Sequence, residues 1–227
     1  MLHAIYHNKG NLWKRYLGHR DELERNVFAE DEITSAFLGT QNFLNPKDVW
    51  QIWQTIVGAD LSPQNVTSPP EFVDIQLWPR REIEPDALIS FNWSNGIKGY
   101  LLIEFKWDAG ESGENQLEKQ WSKFLNKDER ENAWHLYISK DISAAVPHLN
   151  QWRIRPITWL QVRSALKKVR DSEKIMQEGT LLKYCDLMDR FMEKIQIFPF
   201  NGFCNLPESQ GFLEPEGDFV FFKFNKH

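Results

Sequence analysis

The sequence predicts a mixed α/β protein in which a central sheet is flanked by helices, and three observations carry that prediction. Apolar residues recur at helical spacing through most of residues 12–57. A run of short segments with strand-like alternation follows between residues 72 and 107. From residue 113 onward, helical and extended patterns alternate. Helices before, between and after a few strands are typical of a layered α/β domain.

The helical segments are recognised by their apolar spacing and by their ends. The third begins at Pro46 and stops at Gly58, as helices tend to. Residues 113–127 are predicted to form one amphipathic helix, in which several large apolar residues share a single stripe. In chain order, the predicted helices are NLWKRYLGHRDELERN, VFAEDEITSAFLGTQNFL, PKDVWQIWQTIVG, GENQLEKQWSKFLNK, LQVRSALKKVR and EGTLLKYCDLMDRFMEKI.

The strand segments are shorter and are bounded by turn residues. Asn95 and Gly96 favour a tight turn between the second and third strands, which predicts an antiparallel hairpin. A further strand is predicted in the tail after residue 198. The other predicted strands are FVDIQLWP, DALISFN, GYLLIEFKW, AWHLYIS and RIRPITW.

Composition and charge narrow the class of protein. The chain has 227 residues, 41% of them hydrophobic, and is predicted to form one domain over residues 1–227, with a core at about 28–140 and a helical C-terminal extension at about 156–227. The net charge of −5 excludes a uniformly basic surface, so a bound polyanion must meet a local basic face or metal ions. Two cysteines and no 18-residue apolar stretch lead us to expect a cytoplasmic protein without a membrane partner.

Two charged residues fall inside the strand segment YLLIEFKW, where burial makes charge costly. Side chains alternate between the two faces of a strand, so Glu104 and Lys106 share one face. In the preceding strand, Asp86 lies at the end farthest from the hairpin turn. The hairpin is therefore expected to bring these three charged side chains together at one open end of the sheet. The opposite face of the third strand is apolar and is expected to pack on the core through Ile103, Phe105 and Trp107.

Two interpretations of this cluster remain open on the residues alone. A Glu-x-Lys sequence near a strand end can be a solvated surface ion pair. Alternatively, two carboxylates on paired strands repel each other unless a cation lies between them. Mg²⁺ is commonly held by one or two carboxylates together with waters and phosphate oxygens. A metal site at Asp86 and Glu104 is therefore the second interpretation.

The order of these residues resembles the PD-(D/E)XK nuclease superfamily, which has the restriction-endonuclease-like fold. The signature of that family is Pro-Asp at a strand start, followed by Glu-x-Lys on the next strand. Here it reads Pro85-Asp86 and then Glu104-Phe105-Lys106. The resemblance covers roughly residues 28–140, and the predicted order of helix, three strands, helix and strand agrees with the core of the family.

The resemblance also implies an acidic residue on the first core helix and a glutamine on the helix after the Glu-x-Lys strand. Glu30 is the preferred acid because it lies on the same stripe as the apolar residues of its helix, and Glu32 is the fallback. Gln116 is the candidate glutamine. By this resemblance Glu30 would support the metal site, and Gln116 would position Lys106 or the phosphate backbone.

The activity implied by the resemblance is metal-dependent hydrolysis of phosphodiester bonds, mostly in DNA. Asp86, Glu104 and the backbone carbonyl of Phe105 would hold Mg²⁺, for which Mn²⁺ can substitute. Lys106 would orient the attacking water and neutralise charge on the phosphate. The expected settings are restriction, repair or anti-phage defence. The alternative is a catalytically inactive member of the fold that serves as a scaffold or as a nucleic-acid-binding subunit of a larger complex.

Candidate contacts to nucleic acid lie on a later helix. Arg163, Lys167 and Arg170 fall on one predicted helical face, which could follow a phosphate backbone; a solubilising helix face is the alternative. Partner protein subunits are also expected, because no targeting domain or motor is recognised in the sequence. Association into a homodimer is left open.

Overall fold

The computed structural model describes residues 29–58, 61, 66, 68–94, 96–107, 115–149, 151–173 and 179–199. Three predictions therefore lie outside the described residues. They are the first helical segment, the turn residue Asn95, and the strand expected in the tail after residue 198.

A five-stranded mixed sheet forms the centre of the described fold, and its strands follow one another in chain order. The second strand pairs antiparallel with both the first and the third. The third, fourth and fifth strands run parallel to one another. All five central strands predicted from the alternation are confirmed. They are β1 Phe72–Leu77, β2 Ala87–Asn92, β3 Lys98–Phe105, β4 Ala133–Ser139 and β5 Ile154–Thr158.

Helices precede, interrupt and follow these strands. The helix that begins at Pro46 ends at Gly58, as the sequence predicts. Gly58 has a φ of 97°, and its amide donates to the carbonyl of Gln54 at 2.8 Å. The α-helices of the described residues are α1 Ala29–Leu38, α2 Pro46–Val57, α3 Gln116–Lys119, α4 Lys127–Glu131, α5 Trp159–Glu173 and α6 Thr180–Lys194. Short 3₁₀ helices cover Gly39–Phe43 and Ser143–His148.

The single helix predicted over residues 113–127 is wrong in its second half. After α3 the chain continues as a π-helical turn over Gln120–Phe124 and then stops. Asn126 starts a new helix with a capping box, in which its side chain accepts from the amide of Glu129 and the Glu129 carboxylate accepts from the amide of Asn126. Arg81 fixes Glu129 with two further hydrogen bonds of 2.6 and 2.8 Å. The capping box therefore starts a separate helix, although the apolar spacing of the sequence continues across the break.

The larger part of the core lies on the face of the sheet that carries the odd-numbered residues of β2 and β3. Helices α1, α2, α5 and α6 cover this face. Trp159, at the start of α5, stacks on Phe105 with ring centroids 5.3 Å apart and meets Phe37 edge to face. The predicted assignment of Ile103, Phe105 and Trp107 to the core is confirmed.

The opposite face carries the even-numbered residues and is covered by the short helical region after α3. A small apolar cluster there joins Leu88 and Leu102 to Phe124 and Leu125. Leu117 belongs to a separate cluster with Tyr137, whereas Trp121 and Phe124 pack in the first. The apolar residues predicted to share one stripe of this helix are thus divided between two clusters. This second face also holds the candidate site.

The β2–β3 hairpin sets the register that builds this site. Gly96 has a φ of 77°, a conformation that glycine adopts without strain, and its amide donates to the carbonyl of Trp93 at 3.0 Å. The pairing then runs from Asn92 opposite Lys98 to Ala87 opposite Ile103. None of the helices in the described ranges is both long and apolar enough to cross a membrane.

Candidate active site

Asp86 and Glu104 come from neighbouring antiparallel strands. Ala87 opposite Ile103 is the last pair of the ladder, so one further step in the same register places Asp86 opposite Glu104. The Asp86 carboxylate accepts a hydrogen bond of 2.7 Å from the backbone amide of Phe105. The structure thus brings the two predicted acids to one end of the sheet.

Lys106 follows directly after β3 but keeps its alternation. Its amide donates to the carbonyl of Ile138 on β4 at 2.8 Å, which continues the parallel ladder by one residue. Its side chain therefore stays on the face of Glu104, and Nζ lies 2.5 Å from Glu104 Oε1. Glu104 is only 1% exposed and Lys106 only 3%. The solvated ion pair that the sequence left open is therefore wrong, because both charges are buried.

Glu30 reaches the same cluster from the first turn of α1. Its Oε1 accepts a hydrogen bond of 3.2 Å from Lys106 Nζ. Its Oε2 accepts one of 3.0 Å from the backbone amide of Trp107. Glu30 thereby anchors the start of α1 to the end of β3. Glu32, the fallback acid, is half-buried two residues further along the helix.

Two glutamines from the region after β3 bind the Glu104 carboxylate. Gln116 Nε2 donates to Oε1 at 2.6 Å, and Gln120 Nε2 donates to Oε2 at 2.6 Å. The sequence resemblance selects Gln116 but not Gln120. The signal that marks Gln120 is its spacing, since residues four apart on a helical turn lie on the same face.

His135 on β4 is a site residue that the sequence analysis did not select. Its Nε2 lies 3.1 Å from Gln120 Oε1, and its ring stacks on Trp121 with centroids 6.2 Å apart. The ring is fully buried, and burial lowers the pKa of His135 to about 3. The imidazole is therefore neutral throughout the physiological pH range. A single histidine in a strand has no spacing signal that distinguishes it from a core residue.

Negative charge is in excess in this cluster. One ammonium, on Lys106, faces the three carboxylates of Glu30, Asp86 and Glu104. Burial and the neighbouring Glu104 raise the pKa of Asp86 to about 8, although the hydrogen bond from Phe105 opposes the shift. Burial acts to lower the pKa of Lys106, but attraction to Glu104 outweighs it and the pKa rises. Lys106 is thus held charged, and Asp86 retains a proton at neutral pH in the absence of a further cation.

The chemistry of these side chains fits a hard divalent cation. With all groups ionised, three carboxylates and one ammonium would leave two negative charges unbalanced, and one Mg²⁺ would neutralise them. Asp86 Oδ1 accepts no hydrogen bond from any described residue. No set of three or more Asp, Glu, His or Cys side chains with metal-ligand spacing is found in the described part of the chain. Mg²⁺ needs only one or two carboxylates, however, because it retains waters and binds substrate oxygens.

Phe105 contributes to the site through its backbone. Its ring is buried on the opposite, apolar face of the sheet. Its amide already donates to Asp86, so a role as metal ligand is confined to the carbonyl group.

The predicted basic strip on α5 is only partly exposed. Arg163 is only 5% exposed; its guanidinium lies 2.6 Å from Asp189 of α6 and also donates to the carbonyl of Ile197. Arg170 lies 3.0 Å from the same Asp189, and Lys167 lies 3.6 Å from it. The three basic residues do share a helical face, as predicted, but that face packs against α6. Arg163 in particular serves the packing of two helices rather than contact with a phosphate backbone.

Fold and site together define a mixed α/β protein with a buried cluster of acidic residues and one lysine at the C-terminal end of the central strand β3. No protein-family model, no curated protein and no solved structure matches the chain.

Proposed function

We propose that this chain is a metal-dependent hydrolase of phosphodiester bonds in nucleic acid, with DNA as the expected substrate and a restriction-endonuclease-like core. The observation that carries the proposal is the convergence of Asp86 and Glu104, from paired strands, on Lys106 at one end of the sheet. The order of elements gives further support, since α1, β1–β3, the helical region after β3 and β4 follow the sequence expected of that core.

Asp86, Glu104 and the carbonyl of Phe105 would hold Mg²⁺, and Mn²⁺ would substitute for it. When bound, the ion polarises the scissile phosphate and makes an attacking water more acidic. Lys106 supplies a permanent positive charge beside the carboxylates, where it would orient the water and offset negative charge on the phosphate. Glu30 and Glu104 both accept hydrogen bonds from Lys106 Nζ, and two such bonds restrict the position of the ammonium.

Gln116 and Gln120 act on Glu104 rather than on the substrate. Their amides donate to different carboxylate oxygens, which fixes the plane of the group. A ligand held in this way is ready to bind a cation without reorganising.

Cleavage assays with Asp86→Asn and Lys106→Ala test the proposal. Supercoiled plasmid and end-labelled single-stranded DNA and RNA are incubated with the full chain in Mg²⁺, Mn²⁺ or EDTA. We expect the wild type to cleave only with a divalent cation and both variants to lose at least about a hundredfold in rate, the scale of one lost electrostatic group. Asp74→Asn and Lys98→Ala are matched controls on the same sheet. Asp74 accepts a hydrogen bond from Gln76 on β1, and Lys98 is exposed at the start of β3.

The outcomes separate this proposal from the inactive scaffold. Full activity in Asp86→Asn or Lys106→Ala contradicts the assignment of the site. A wild type that binds nucleic acid but neither cleaves it nor binds Mg²⁺ or Mn²⁺ by calorimetry supports the scaffold. The roles proposed in restriction, repair or anti-phage defence, and the partner subunits or homodimer, depend on which of these results is obtained.

A further inference from the structure

A chain of three buried polar side chains links β4 to the candidate active site. His135 Nε2 lies 3.1 Å from Gln120 Oε1, and Gln120 Nε2 lies 2.6 Å from Glu104 Oε2. All three residues are at most 1% exposed. Among the described residues, Gln120 is the one side chain that hydrogen-bonds the His135 ring. His135 therefore reaches Glu104 through Gln120.

The direction of each hydrogen bond in this chain follows from the contacts of Glu104. Its Oε1 accepts from Lys106 Nζ and Gln116 Nε2, and its Oε2 accepts from Gln120, which therefore turns its NH₂ group toward Glu104. The amide oxygen of Gln120 then faces His135 and can only accept. His135 must therefore carry its proton on Nε2. The neutral ring has a single N–H, so Nδ1 is left as a bare acceptor.

The surroundings of the His135 ring agree with this tautomer. Nδ1 is buried and has no hydrogen-bond partner among the described residues. An N–H group at that position would be a buried donor without an acceptor, which is rarer in folded proteins than an unpaired acceptor. The ring itself is held in place, because it stacks on Trp121 and its strand pairs with β3 at Leu102.

The π-helical turn makes the connection geometrically possible. It begins at Gln120, directly after α3, and π-turns of this kind occur frequently at functional sites. Gln120 and Trp121 both meet His135, one through a hydrogen bond and the other through its ring face. Two consecutive residues of the turn therefore contact the His135 ring.

We propose that His135 is a positioning residue of the site: its Nε2–H fixes the amide orientation of Gln120, and Gln120 in turn holds the Glu104 carboxylate in one orientation. This inference rests on the proposed function, since its consequence for turnover requires that Glu104 serve a divalent cation. Without the His135 donor the amide of Gln120 can turn over, and its oxygen then faces the Glu104 carboxylate. Two acceptor oxygens then face each other, and this repulsive contact displaces the Glu104 side chain.

The tautomer is tested directly, without any assay of activity. Ring-nitrogen NMR of the ¹⁵N-labelled full chain, recorded without metal near neutral pH, reports which nitrogen of His135 is protonated. We expect a neutral ring with the proton on Nε2 and a Nδ1 signal typical of an unprotonated nitrogen. A proton on Nδ1, or an imidazolium, overturns the inference.

The positioning role is tested by two variants that separate shape from hydrogen bonding. His135→Phe keeps an aromatic ring against Trp121 but removes the donor, whereas His135→Gln restores an N–H at the position of Nε2. His148→Phe is the matched control, because the ring of His148, at the end of a 3₁₀ helix, also packs against an indole, that of Trp152, with ring centroids 5.0 Å apart. Each variant is assayed for Mn²⁺ affinity by calorimetry, for kcat and KM on a DNA oligonucleotide, and for its urea unfolding curve.

We expect His135→Phe to weaken Mn²⁺ binding and to lower kcat by about 10- to 100-fold with little change in KM. His135→Gln should recover most of both losses, and His148→Phe should match the wild type. Wild-type Mn²⁺ affinity in His135→Phe, or equal losses in His135→Phe and His135→Gln, overturns the inference.

The two proposals fail separately. If the wild type cleaves no nucleic acid, the proposed function fails, while the tautomer and the Mn²⁺ affinities still decide the role of His135. If the wild type cleaves and His135→Phe has its kcat and metal affinity, the function stands and the positioning role is overturned.

Discussion

Lys106 and Glu104 form a buried ion pair in which Nζ lies 2.5 Å from Oε1, and neither residue is more than 3% exposed. Two residues apart on one strand end, they face the same side of the sheet and are shielded from water by the region that carries Gln116 and Gln120. A buried ion pair is not by itself strong evidence for stability, because desolvation of both charges is costly. The loss of one partner, however, leaves the other charge without compensation.

Replacement of Lys106 by methionine should therefore destabilise the fold as well as abolish activity. The Lys106→Met side chain keeps a similar length but leaves Glu104 and Glu30 without their ammonium. We expect the free energy of unfolding in urea to fall by about 3–5 kcal/mol. Lys123→Met is the control, because Lys123 pairs with Glu82 on the surface, and it should cost at most about 1 kcal/mol. Equal effects of the two substitutions would contradict the buried pair.

The raised pKa of Asp86 predicts a specific dependence of stability on pH. Its pKa is about 8 in the folded state, against the ordinary value of 3.8. Between these two values the folded protein binds a proton that the unfolded chain has released, so this group makes stability fall as pH rises from about 4 to about 8. The largest slope that one such group can contribute is about 1.4 kcal/mol per pH unit.

Urea unfolding at several pH values within that interval measures the effect of Asp86. Asp86→Asn cannot ionise, and we expect its stability to decline less steeply with pH than that of the wild type. Asp74→Asn, which changes an acid on the outer strand β1, should keep the wild-type slope. A slope that is the same in all three proteins would show that Asp86 titrates as it does in the unfolded chain.

The position of Arg163 predicts that it stabilises the packing of α5 on α6. Its guanidinium is buried between Asp189 and the carbonyl of Ile197. We expect Arg163→Met to lower the free energy of unfolding by about 3–5 kcal/mol, because a buried carboxylate loses its main partner. Lys167→Met removes a half-exposed lysine from the same acid and should cost no more than about 1 kcal/mol.

Binding measurements complete that comparison. Fluorescence anisotropy with a labelled DNA duplex shows whether Lys167 contributes to phosphate contact. We expect Lys167→Met to bind as the wild type does. A loss of affinity with a shallower salt dependence would restore this face as a nucleic-acid contact.

A buried hydrogen-bond network around Gln41 predicts a further stability effect away from the site. Gln41 Nε2 donates to the hydroxyl of Tyr184 at 2.8 Å, and Gln41 Oε1 accepts from Trp53 Nε1 at 3.0 Å. Gln41→Leu leaves the indole N–H of Trp53 buried without an acceptor, which costs about 1–3 kcal/mol. Urea unfolding measures the change. Asn42→Ala, at the exposed neighbouring position, should stay within about 0.5 kcal/mol of the wild type.

The sheet and most of the helices could be predicted from the sequence because their signals are local. Alternation in YLLIEFKW separates Glu104 from Phe105, and the turn at Gly96 pairs that strand with DALISFN. The break in the helix after Phe124 could not be predicted from periodicity. It depends on the capping box of Asn126 and on Arg81, which comes from a loop more than forty residues earlier.

The candidate site divides in the same way. Asp86, Glu104 and Lys106 follow from strand alternation and hairpin register, both of which are properties of a short stretch of chain. Gln120 and His135 do not, because their role depends on the meeting of a helical turn with a strand that follows it. The basic face of α5 was predicted in its composition but not in its surroundings, since periodicity does not distinguish a face that meets water from one that meets an acid such as Asp189.

By itself, then, the sequence of this protein determines which side of each strand a residue occupies and where the chain turns, because sterics and side-chain alternation act over a few residues. Only the tertiary structure decides that the charged pair is buried and that Glu30, 76 residues away, completes it. The same is true of the contacts by which Gln116 and Gln120 hold Glu104. These features depend on desolvation and on contacts between distant segments, and both arise only when the helices close over the sheet.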